Sequence, residues 1–167
     1  MNLIGYLIAW LLFTGSGSTE NTKIYIVRHA EKSTEPANDP HLTDAGKQRA
    51  QALKEMLANK NIAYIFSTNT NRTVETAYPF SMSVNIPIRY YSNDTLSQFL
   101  QMITSLKMNV LVIGHSNTIL PMLDKLDLSH HIKTIPDNEY ANLFIITVKQ
   151  GKAADLKETT YGSVSSQ

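Results

Sequence analysis

The chain has 167 residues, 43% of them hydrophobic, a formal net charge of +1 and no cysteine. That length suits one domain with a continuous core, and the near-neutral charge offers no bulk field to draw the protein to nucleic acid or an acidic membrane. The missing cysteines exclude disulfides, thiolate metal sites and cysteine nucleophiles.

Residues 1–13 form an apolar run through Leu3, Ile4, Leu7, Ile8, Trp10, Leu11 and Leu12, followed by small residues at 15–18. This reads as a signal-peptide core, although no Lys or Arg precedes it. It is shorter than the roughly 20 residues of a membrane helix, so no stable span is expected. Residues 1–20 are expected to be a signal peptide or an apolar extension, and residues 21–167 one domain. Removal near Gly17 or Ser18 would make the protein periplasmic or extracellular; retention would leave it cytoplasmic.

Residues 23–27 are β-branched and apolar and stop at Arg28, as a buried strand does before a functional loop. Residues 33–40 are rich in Pro, Asn and Asp and predict a loop, after which Thr43 caps a helix with apolar contacts at Ala50, Leu53 and Leu57. A strand at 62–66, a helix at about 70–80 and a strand at 86–91 follow. Leu96, Phe99, Leu100, Ile103 and Leu106 fall at spacings of three and four, which puts them on one helical face. Residues 109–113 give the most apolar strand, 118–126 a helix that tolerates Pro121 near its start, and 143–148 with 156–161 a terminal strand pair. The order β-α-β-α-β-α-β-α-β-β predicts an α/β three-layer sandwich, with a largely parallel sheet covered on both faces and any site at the carboxyl ends of strands.

Three of those strand ends carry chemistry: Arg28-His29, the segment Ser67 to Arg72, and His115-Ser116-Asn117. Two arginines and two histidines meeting in one pocket require an anion to offset their mutual repulsion and desolvation, and a phosphate dianion is the natural occupant. Arginine can bond two phosphoryl oxygens at once, so Arg28 and Arg72 are the candidate clamps. His29 is the candidate nucleophile, with a backbone carbonyl expected at its other ring nitrogen to fix the tautomer. His130 and His131 are adjacent and cannot easily share a metal, and no HExxH-type spacing exists, so neither metal nor cofactor is expected.

Val27-Arg28-His29-Ala30-Glu31-Lys32 resembles the RHG or RHA signature of the histidine phosphatase superfamily, which includes the phosphoglycerate mutases. Leu42-Thr43 with Gly46, Arg49 and Ala50 is similar to the LTxxGxxQA segment of that family. Ser67-Thr68 with Arg72-Thr73 and Thr76-Ala77 is similar to its SxxxRTxxTA segment, and Gly114-His115-Ser116 to its GHG or GHS motif. The resemblance runs from about residue 23 to 148. It implies a phosphoglycerate mutase-like fold, a phosphohistidine intermediate on His29, and a phosphate pocket completed by Arg28, Arg72 and His115. The implied partner is a small phosphorylated substrate. Only 42 residues separate Arg72 from His115, little room for the lid insertions of the mutases, which favours hydrolysis.

An alkoxide leaving group needs a general acid. Asp94 is the first candidate, ahead of Glu139 and Glu31. Without an acid, the alternative is a phosphohistidine phosphatase of the same superfamily, or a phosphate-binding module with no activity. Residues 112–118 also partly resemble a serine-hydrolase nucleophile elbow, but Thr118 replaces its second glycine and that reading leaves Arg28, His29 and Arg72 unexplained.

Overall fold

The structure, a computed structural model, describes residues 21–163, so the expectation for residues 1–20 lies outside the described residues. The elements are β1 (Thr22–Arg28), α1 (Asp44–Leu57), β2 (Ile62–Ser67), α2 (Asn71–Val84), β3 (Ile88–Tyr90), α3 (Leu96–Ser105), β4 (Asn109–Gly114), α4 (Ser116–Lys125), β5 (Asn142–Lys149) and β6 (Lys152–Thr160). They form the expected three-layer α/β sandwich around one sheet of order β3-β2-β4-β1-β5-β6. β1 to β4 run parallel, and β5 and β6 are antiparallel to their neighbours.

The inner strands read as continuous apolar runs because both faces are covered. Ile24, Ile26, Val110 and Val112 face α3 and α4 with Leu96, Phe99, Leu100 and Ile119. Tyr25, Val27, Leu111 and Ile113 face α1 and α2 with Leu53, Leu57, Ala77 and Phe80. In α3 the buried residues Leu96, Phe99, Leu100 and Ile103 are the stripe read from the sequence.

Register decides what the strand ends bring together. β4 inserts between β1 and β2, with Arg28 level with Gly114 and Ser67 level with Ile113. Arg28-His29, Ser67-Thr68 and His115 therefore leave the sheet side by side at one edge, as expected for sites at the carboxyl ends of parallel strands.

Three of the boundaries that differ from expectation have a cause in the contacts. α2 runs four residues past Phe80 and through Pro79, because buried Phe80 keeps that face on the core and Asn85 closes the helix in the left-handed region (φ 54°). β3 is shorter than 86–91: the Ile86 N–H is spent on the Ser81 carbonyl at 3.2 Å, and Pro87 has none to give. β6 begins at Lys152, before the expected 156, because Gln150 and Gly151 (φ 50° and 77°) make a tight reversal that pairs Lys149 with Lys152 at once.

Candidate active site

His29 closes β1, only 3% exposed, with its N–H on the Gly114 carbonyl at 2.9 Å. Its Nδ1 lies 2.8 Å from the Ala30 carbonyl oxygen, which can only accept. Nδ1 is thus the protonated nitrogen of the neutral ring, and Nε2 keeps its lone pair. Burial lowers the His29 pKa to about 3; Arg28, His115 and Arg72 push in the same direction, against the Ala30 carbonyl.

His115 is the N-cap of α4 and stands 5.4 Å from His29 between ring centres, edge-on at 63°. Its Nε2 is 2.8 Å from Thr68 Oγ1, and its Nδ1 is 3.5 Å from Arg72 Nη2. Burial, then Arg72 and Arg28, lower its pKa to about 4, while Asp39 opposes them. Arg72 itself enters from the first turn of α2 and holds Asp39 Oδ1 at 3.4 Å through Nη1.

Arg28 is as buried as His29. Its Nη1 donates to the carbonyls of Pro136 at 2.7 Å and Glu139 at 2.9 Å, so part of this expected clamp ties β1 to the segment before β5. Its Nε is buried with no hydrogen-bond partner among the described residues. Burial lowers its pKa, and Asp137 and Glu139 act against that.

The structure therefore gathers His29, Arg28, Arg72 and His115, as expected. It does not bring Asp94 to them. Asp94 sits in an exposed 3₁₀ turn (Asn93–Thr95) after the edge strand β3, its Oδ2 accepting from the Ser92 hydroxyl at 3.1 Å. The other acid candidates are also engaged. Glu31 takes Arg49 Nε and Nη2 in a bidentate pair at 2.7–3.0 Å, and Glu139 Oε1 accepts the Ala141 N–H at 2.7 Å. His41, exposed in the loop before α1, pairs with Glu75.

Two residues at the site carried no sequence signal. Asp39 came from a loop legible only as irregular, yet its carboxylate takes the Asn71 N–H at the start of α2 (2.8 and 3.1 Å) besides Arg72. Tyr140 precedes β5, and its ring centre lies 5.9 Å from that of His29. Among the described residues no three metal-ligating side chains cluster, and no helix is long and apolar enough to cross a membrane.

The histidine pair beside two arginines is the arrangement the motifs implied, and part of the chain is similar to a known family. Residues 24–93 match the histidine phosphatase superfamily, branch 1. Several solved structures share the fold. The protein histidine phosphatase SixA complexed with tungstate aligns over 85% of this chain and 97% of its own, at 18% identity and a TM-score of 0.65. A mycobacterial glucosyl-3-phosphoglycerate phosphatase aligns over 86% and 100%, at 11% identity and a TM-score of 0.65. YhfR of Bacillus stearothermophilus aligns over 80% and 94%, at 19% identity and a TM-score of 0.62. No curated protein sequence matches the chain.

The two depressed histidine pKa values make stability depend on pH in a definite direction. Above the ordinary histidine value of about 6.5 both rings are neutral folded and unfolded, and nothing is lost. As pH falls through 6.5 the unfolded chain takes up protons that the folded site refuses until about pH 4 and 3, so stability declines across that window. The melting temperature is expected to drop from pH 6.5 to 4 more steeply in wild type than in the double variant His29→Asn, His115→Asn. Equal slopes would contradict a buried neutral pair.

Proposed function

We propose that the chain is a phosphomonoester hydrolase that carries the phosphoryl group on His29. The observation that supports this most is the bond from His29 Nδ1 to the Ala30 carbonyl. It leaves the Nε2 lone pair on a ring that stays neutral at physiological pH, beside two arginines suited to a phosphoryl group. In the first step Nε2 attacks phosphorus, a P–N bond forms, and the leaving oxygen departs with the electrons of the broken P–O bond. In the second, water attacks phosphorus, the P–N electrons return to Nε2, and inorganic phosphate leaves. Arg28, Arg72 and His115 would stabilise charge on the equatorial oxygens in both steps.

A second reading has its own support. Of the acid candidates, Glu31 and Glu139 already hold partners and Asp94 stays in its exposed turn, so none of the three stands ready to protonate an alkoxide. Substrates whose leaving group departs unaided fit better, which favours aryl phosphates or a phosphoramidate such as phosphohistidine over alkyl phosphates. Export of the enzyme is a separate proposal that rests on the apolar run in residues 1–13 alone.

The test is phosphate release from an aryl phosphate, a phosphohistidine peptide and a panel of alkyl phosphates, with acid- and base-quench analysis of the protein. The expected result is turnover of the first two ahead of the third, with a base-stable, acid-labile phosphoryl group on His29. No turnover and no phosphoenzyme with any substrate would overturn the hydrolase and leave a phosphate-binding module.

A further inference from the structure

The geometry points to Tyr140 as a positioning residue that fixes the plane of the Arg28 guanidinium through the face of its ring, and so sets phosphate affinity. The inference rests on the phosphatase reading above.

Arg28 Cζ stands 4.4 Å from the Tyr140 ring centre, and the same ring lies 5.9 Å from His29, so one aromatic side chain borders both clamp and nucleophile. A guanidinium carries all its donors in its own plane. A ring against its face can therefore hold that plane without consuming a donor, and the attraction between cation and ring quadrupole favours the contact.

The donors divide accordingly. Nη1 is spent on the Pro136 and Glu139 carbonyls, which fixes one corner of the plane. Among the described residues Nη2 has only the Asp137 carboxylate at 3.7 Å, on a fully exposed side chain. Nε is buried and unpartnered, a donor that a phosphoryl oxygen would satisfy. With one corner pinned, rotation about it is what would carry Nε–H out of line, and the Tyr140 ring blocks that rotation. Tyr140 follows directly on Glu139, so the residue that pins the corner also places the ring.

The proposed role belongs to the ring face, and Tyr140→Phe is the reference that separates the face from the hydroxyl. Inorganic phosphate affinity measured by calorimetry, with kcat and KM on an aryl phosphate, is referred to Tyr140→Phe, which keeps the ring face and so should exceed Tyr140→Leu. In Tyr140→Leu, of similar bulk but without a π face, phosphate should bind about 10-fold more weakly. Phenylalanines of increasing fluorination at position 140 keep the shape and drain the ring face, and they serve even where the leucine variant fails to fold. Affinity should fall stepwise with fluorine count. Phe as impaired as Leu, or a fluorinated ring binding phosphate like Phe, would overturn the role of Tyr140 while leaving the hydrolase intact. Wild type that neither binds phosphate nor turns over an ester would overturn the phosphatase reading itself.

Discussion

His29→Ala is expected to lower kcat/KM on an aryl phosphate by about 10⁴-fold or more, with the circular dichroism of the folded protein retained. The ring supplies the only lone pair aimed at phosphorus in the proposed mechanism, and no neighbour can take its place. Nε2 of His115 faces Thr68 at 2.8 Å, and its Nδ1 faces Arg72. Phosphate binding should survive in the same variant, because Arg28, Arg72 and His115 are untouched. The loss therefore falls on the chemical step, and acid-labile phosphoenzyme should vanish with it. Turnover within 10-fold of wild type would sink the phosphohistidine mechanism.

Arg72→Ala is expected to cost about 10²- to 10³-fold in kcat/KM, with Arg72→Lys recovering part of it. Two effects add. The planar fork that could hold two phosphoryl oxygens is lost, and a lysine restores only its charge. The Asp39 carboxylate, held by Arg72 at 3.4 Å, would then face the incoming dianion uncompensated. Asp39 stays in place without the arginine because the Asn71 N–H also holds it. Adding Asp39→Asn to Arg72→Ala should accordingly return part of the activity. A double variant no better than Arg72→Ala would show that Asp39 opposes nothing.

What the sequence disclosed and what it hid follow from how each residue is placed. His29, Arg28, Arg72 and His115 sit at or just beyond strand ends, where apolar patterning fixes the sheet and the sheet fixes the edge. The motifs also have a physical meaning that spacing alone does not reveal. A Cβ on Gly46 would lie 2.2 Å from the Glu31 carbonyl oxygen, so only glycine lets α1 come this close to the segment after His29. Thr43 caps α1 and, through its N–H, holds that same carbonyl. Leu42 and Ala50 pack on Ala30, whose N–H goes to Thr76 Oγ1 at 2.9 Å. The second and third motifs thus brace the nucleophile segment from behind. Glu31 looked like a candidate acid because it neighbours His29 in sequence, but its side chain turns to Arg49. Asp39 and Tyr140 were hidden because both lie in irregular segments, whose course is set by contacts more than 30 residues away in the chain and by no local period.

β1 is an inner strand that runs toward the pocket, so Asn21 and Thr22 stand at the opposite rim of the sheet. Seven residues of strand put about 20 Å of packed sheet between that rim and His29. That rim is therefore the back of the fold with respect to the pocket. A surface that gripped the fold at that rim would leave the pocket facing outward to the medium.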